Sequence, residues 1–330
     1  MAFISTYEVK NITSNFKYRR AIFGYQDKNG KERYVEGLDI KFEIESAGGQ
    51  ILPQARIDVC NLDTDTMKHL TTITPFDNNH KIALYIGYET NYNGQKNTKL
   101  PKIFEGNIKY AMFTFIPDMW LEMHCVSDNT QIYSVMGAED SKYVNENINN
   151  VHDLVDWVIT KKIGRAVQWN EAVYDMKNLS PLILNSEYYE FSYNVGGKTP
   201  IQVLQEISRM YNLSIWGSAD SFKINPSDRL IKEDINPTVK WAVNVNSGMI
   251  GIPTVSVAQA EVTILMNPNI LAGDCVELKS ERYNNVFVKD GKSSLSIASN
   301  GRYTITKINH KGHLRGNEWY SKLSMVRGGW

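Results

Sequence analysis

The chain has 330 residues, 42% of them hydrophobic and 22% charged. That is enough apolar material for two or three ordinary cores, and it excludes a disordered or collagen-like chain. Thirty-six basic residues balance thirty-six acidic ones. The zero formal charge argues against a dedicated nucleic-acid binder, which needs a basic excess, and leaves little repulsion between copies.

The opening residues lack an apolar signal core, and no stretch approaches the roughly 18 apolar residues of a membrane span. From Leu38 onward the pattern is β. Leu38, Ile40, Phe42 and Ile44 alternate with Asp39, Lys41, Glu43 and Glu45, so one face is buried and one is wet. Gly48 and Gly49 turn the chain into a second strand with Ala55, Ile57 and Val59 inward. Asp63 or Thr64 then caps a short helix. Residues 81–88, 103–115 and 119–126 read as three further strands, with a polar loop over 90–99. Five short strands with Gly, Asn, Asp and Pro punctuation predict a barrel or sandwich.

The middle changes period. Asn150 precedes Val151, Leu154, Val155, Val158 and Ile159, which fall on one helical stripe that Gly164 ends. Thr199, Pro200 and Gln202 have the spacing of a capping box with proline at the first helical position. Ile201, Leu204, Ile207 and Tyr211 continue that helix and Asn212 stops it. Residues 213–216 and 221–224 form a hairpin, which completes a small α/β unit. The last third returns to β-structure: 255–266 as one long strand, then 274–279, 302–309 and 319–326, with 289–301 a polar loop.

The candidate chemistry is thin. Gly196-Gly197-Lys198-Thr199 ends like a phosphate loop, but Ser192 stands where the first glycine is needed and Pro200 removes an N–H from the helix start. His310 and His313 lie three apart around Gly312, in an expected turn, without the helical i, i+4 spacing of a zinc pair. Glu139-Asp140 and Glu233-Asp234 sit in polar stretches and read as solvated faces. Cys60, Cys125 and Cys275 are widely spaced and odd in number, hence small buried thiols. The many aromatics read mainly as strand packing. No catalytic residue, cofactor or metal is assigned.

Several segments together resemble the baseplate hub proteins of contractile-tailed phages and related injection systems. Residues 50–62 (QILPQARIDVCNL) and 103–108 (IFEGNI) resemble the hub's first barrel. Gly197-Lys198-Thr199-Pro200 through Tyr211, with Ser214-Ile215-Trp216, resembles its small α/β domain. Residues 266–270 with 273–276, and 302–312 with 316–320, resemble its second barrel. The likeness spans about residues 36 to 327 and rests on order and spacing.

That resemblance implies a mainly β fold with an α+β insertion: two tail-tube-type β-barrels and a small α/β domain. The domains implied are 1–135, 136–240 and 241–330. It implies a non-enzymatic structural protein of the virion tail, assembled in the host cytoplasm. Three copies would place six barrels in a ring between the tail tube protein and the central spike protein, beside other baseplate proteins, with DNA only as cargo through the lumen. No ~100-residue segment is spare for a fused hydrolase. The rival readings are a receptor- or carbohydrate-binding tail component, marked by exposed clustered aromatics, and a cell-envelope hydrolase, marked by paired carboxylates in a cleft. The loops 90–99 and 289–301 and the stretch 319–330 are the expected contact points.

Overall fold

A computed structural model describes residues 6–8, 19–47, 51–72, 80–89, 99–115, 117–127, 130–169, 193–226, 239–256, 259–281, 284–285 and 300–327. The first part holds β1 (Thr6–Glu8), β2 (Arg19–Gln26), β3 (Glu32–Glu36), β4 (Ile40–Ala47), β5 (Gln54–Cys60), α1 (Thr64–Thr71), β6 (Lys81–Tyr88), β7 (Lys99–Thr114) and β8 (Trp120–Val126). Its strands run antiparallel in the order β4-β5-β8-β7-β6-β2-β3. Phe23 of β2 and Phe42 of β4, far apart along that order, share one buried core with Ile57, Leu84, Phe104 and Met123. Sharing a core from both ends requires the arm to curl. Helix α1 covers the core with Met67 and Leu70, and Asp63 is its cap, accepting the Thr66 N–H at 2.9 Å.

The sequence pattern had supplied five strands here; β1, β2 and β3 are additional. β2 escaped because Ala21 to Tyr25 are all buried, so period-2 alternation is absent. Strand β6 is likewise buried on both faces, because Ala83 and Tyr85 pack with Ile22 and Leu100 outside the main core. The expected glycine turn at 48–49 lies outside the described residues.

The middle unit comprises α2 (Ala138–Asn147), α3 (Val151–Trp157), β9 (Ala166–Trp169), α4 (Pro200–Met210), β10 (Leu213–Gly217) and β11 (Ser221–Pro226). Wider π-type turns over Val158–Ile163 extend α3 until Gly164, at φ 77°, ends it. Around α4 the capping box is formed: the Thr199 N–H donates to Gln202 at 2.8 Å and the Gln202 N–H to Thr199 at 3.4 Å. Asn212 takes the left-handed turn after the helix, at φ 51°. The unit has its own core, with Leu154, Ile159, Leu204, Ile207, Ile215 and Phe222.

The last part holds β12 (Trp241–Val243), β13 (Met249–Val255), β14 (Gln259–Leu265), β15 (Cys275–Leu278), β16 (Asn284–Asn285), β17 (Gly301–His313) and β18 (Trp319–Arg327). Two expectations change. The single strand over 255–266 is the hairpin β13–β14, since Val255 turns back to pair with Ala260. His310 to His313 are strand, not turn: β17 continues to pair with β18 as far as Gly312↔Trp319.

β17 joins the two β parts. Its residues 301–304 pair with β15 and its residues 307–313 pair with β4. The result is one sheet in the order β16-β13-β14-β18-β17-β4-β5-β8-β7-β6-β2-β3. Tyr303, Ile305 and Ile308 enter the second β core, whereas Leu314 and Trp319, at the far end of the β17–β18 hairpin, enter the first. Gly312 permits this crossing: a Cβ there would fall 2.3 Å from the Phe42 ring. We expect Gly312→Ala to destabilise the protein by about 1–3 kcal/mol, read as a lower urea midpoint at unchanged slope; an unchanged midpoint would contradict this packing.

His310 lies beneath the same crossing, 4% exposed, with Nδ1 2.8 Å from Ser321 Oγ. Burial pushes its pKa from 6.5 down to about 3. Because the folded value is the depressed one, the associated stability is complete above 6.5 and drains away as pH falls towards 3. Unfolding free energy should drop by about 2 kcal/mol between roughly pH 7 and 5 from this group alone. His310→Gln should remove that part of the slope in parallel denaturant titrations, and an identical slope in the variant would refute the assignment.

Candidate assembly face

Strand alternation and ladder register together build a continuous wet face. Leu265, Tyr320, Lys311, Glu43, Arg56, His124 and Tyr110 are successive ladder partners across β14, β18, β17, β4, β5, β8 and β7. Directly paired residues point to the same side of a sheet. This row therefore crosses seven strands on one face, while Ile44, His310 and Ile57 point to the other.

The centre of the face is neutralised from within. Lys322 pairs with Glu261 at 3.0 Å, Lys307 with Glu45 at 2.8 Å, and Asn309 donates to Glu43 at 2.7 Å. Arg56 bridges Asp58 at 3.2 Å and Glu122 at 2.8 Å, and His124 reaches Glu122 at 2.8 Å. Partial burial raises the Asp58 carboxyl above its ordinary value, against the pull of Arg56. The hydrogen bond to Glu318 raises Lys311. Such pairs lock cross-strand register more than they add stability.

The two lateral ends of the face are apolar instead. At one end Tyr110 is 52% exposed, with Met112 on the same side of the strand; Phe113 and Phe115, also exposed, point to the opposite side. At the other, Leu265 is 54% exposed and Val245 72%, with Ile250 and Ile252 beside them. The β7 end is also a bare edge. β6 pairs with β7 only over Lys102 to Asn107, and beyond Tyr110 the strand pairs with β8 alone among the described residues.

The middle unit is fastened to both β parts by buried charge. Lys102 of β7, fully buried, meets Glu105 at 2.6 Å and Asp220 of the β10–β11 turn at 2.5 Å. Asp274, also fully buried, accepts from Lys223 at 2.5 Å, the Trp241 indole at 2.8 Å and the Leu271 N–H at 3.0 Å. Burial works to raise the Asp274 carboxyl, but Lys223 and these donors outweigh it and hold the pKa below the usual value. A cleft of about 250 Å³ opens between the three parts, walled by Trp216, Ser218, Lys223 and His310. Of its charged walls, Lys102 pairs with Asp220, and Lys223 pairs with Asp274 behind the lining.

The residues singled out for chemistry are dispersed. Lys198 pairs with Glu206 at 2.6 Å. His313 holds Asp39 at 3.0 Å, while His310 lies inward on the same strand. Asp140 accepts the Gly137 N–H at 3.0 Å at the start of α2 and pairs with Lys162; Glu233-Asp234 lies outside the described residues. Among the described residues no three His, Cys, Asp or Glu side chains group to hold a metal. The three cysteines are buried thiols. Among the described residues no helix is long and apolar enough to cross a membrane. Of the expected contact segments, 90–98, 289–299 and 328–330 lie outside the described residues. Residues 319–327 form β18, inside the sheet between β14 and β17, with Trp319 buried. The apolar ends of the face were not anticipated. Their signal was the uncharged run from Tyr110 to Phe115, which read simply as strand.

Solved structures share this fold. A tail protein from Neisseria meningitidis MC58 superposes with a TM-score of 0.50 at 9% identity, covering 93% of this chain and 96% of that one. The 43 kDa tail protein of prophage MuSo2 from Shewanella oneidensis gives 0.50 at 9%, covering 94% and 97%. No individual curated protein matches the sequence. The family model described as Baseplate hub gp41 matches residues 20–325, nearly the whole chain. With that match over nearly all of its length, this mainly β chain is a structural baseplate component and belongs to the baseplate hub gp41 family.

Proposed function

We propose that this protein is the ring-forming hub of a contractile tail's baseplate. Three copies close into a ring, and the two β parts of each copy supply six similar walls. One side of the ring meets the hexameric tail tube and the other the trimeric central spike, with other baseplate proteins around it. The observation that carries this reading is the shared strand β17, which fixes two β parts of one chain in a single sheet. A threefold assembly can present a sixfold surface only if its two halves hold a constant relation, and a continuous ladder supplies that constancy. On this reading the chain divides into a first tube-like domain over 1–135, a middle domain over 136–240 and a second tube-like domain over 241–330.

The role is structural, not enzymatic. The wet face lines the lumen, and DNA passes it only as cargo. Its paired charges support that part of the reading, because a surface whose cations are already matched offers passing phosphates no strong hold. Assembly into the virion tail takes place in the host cytoplasm.

Light scattering on the purified chain, alone and with the neighbouring spike protein, tests the proposal. A three-copy mass, or a three-to-three complex with spike, is expected. A chain that stays monomeric with spike and with tube protein would overturn it.

A further inference from the structure

Sheet edges are templates for unwanted pairing, and folded proteins normally blunt them with charge, proline or bulges. Two flanks of this sheet are blunted. β3 carries Glu32, Arg33 and Glu36 along its five residues. Towards the other end, where β16 pairs with β13 only at Thr254 and Val255 among the described residues, β13 carries Pro253 and a bulge in which Gly251 stands at φ 74°. The stretch of β7 with no second strand beside it among the described residues is not blunted: from Tyr110 to Phe115 there is no charge, proline or glycine. An uncharged, aromatic edge of this length is an aggregation hazard unless it is covered.

The apolar end at β13 narrows the choice of cover. It lies on the same face as the β7 end and at the opposite limit of the same row, Tyr110 at one end and Leu265 at the other. Two different patches at opposite limits of one surface satisfy each other head-to-tail, and a head-to-tail contact that closes makes a ring. A twofold contact of β7 with β7 would leave Val245, Ile250, Ile252 and Leu265 uncovered. We propose that the β7 flank of one copy seats on the β13 flank of the next, joining the wet faces of neighbouring copies. The inference rests on the ring reading above and assigns its contact. The bulge and Pro253 make the contact one of side chains, not an extended ladder.

The test places opposite charges at the two ends of the row, in Tyr110→Glu, Leu265→Lys and the chain carrying both. Each position is more than half exposed, so all three variants should match the wild-type thermal midpoint, which is checked first. In sedimentation equilibrium of the full chain, under the conditions where wild type forms its ring, each single variant should weaken association by about tenfold. The double variant sets Glu against Lys at every contact and should recover it. Single variants that associate like wild type would overturn the assignment while leaving the ring intact. Loss without recovery in the double variant would show that the flanks do not face each other. A wild-type chain that forms no ring, alone or with spike protein, would instead overturn the underlying reading.

Discussion

Strand β17 is in two places at once. Its first residues pair with β15 over the second β core, and its last seven pair with β4 over the first. Backbone ladders tolerate little relative motion, because every hydrogen bond fixes the next. Two β parts that could each have closed independently are therefore held at one angle. The hairpin that β17 forms with β18 then reaches past the ladder, and Leu314 and Trp319 complete a core made otherwise by residues of the first part. The Arg19 guanidinium lies over Trp319 and donates to the Gly316 carbonyl at 2.6 Å, tying the start of β2 to that same tip.

The middle unit depends on this frame differently. It has its own core and packs on the sheet through polar contacts at the seam. Trp216 donates to the Thr306 carbonyl at 3.2 Å, and Asn225 donates to the Gly273 carbonyl at 3.1 Å. The buried ion pairs of Lys102 and Asp274 sit at the same seam. Charges taken out of water cost several kcal/mol each in desolvation, and their mutual attraction only roughly offsets it. Their use here is geometric: the docked position is the one that brings Asp220 to Lys102 and Lys223 to Asp274.

The surface follows from the same frame. With β4 and β17 in register, the outward residues of seven strands fall into rows. Unlike charges meet in the middle of those rows and apolar residues collect at their limits. Two solved structures that share this fold are tail proteins, and at 9% identity the likeness is one of fold.

Much of this architecture was legible in the sequence because it is local. Alternation in 40–45 and 55–59 specified which side of β4 and β5 is buried. Thr199, Pro200 and Gln202 specified where α4 starts, since a cap needs only three neighbouring residues. The order of segments sufficed for the likeness to hub proteins. Strands buried on both faces, such as β2, carry no alternation and were invisible, and the turn at Val255 was hidden inside a run that pairs with itself. His310 to Gly312 looked like a turn because a glycine beside charged residues usually is one. Only the tertiary structure gave Gly312 its role, as the gap that Phe42 fills. Which strand is an edge was likewise undecidable from the sequence. An edge is defined by the strand that is not beside it, and that is a property of pairing between residues hundreds of positions apart.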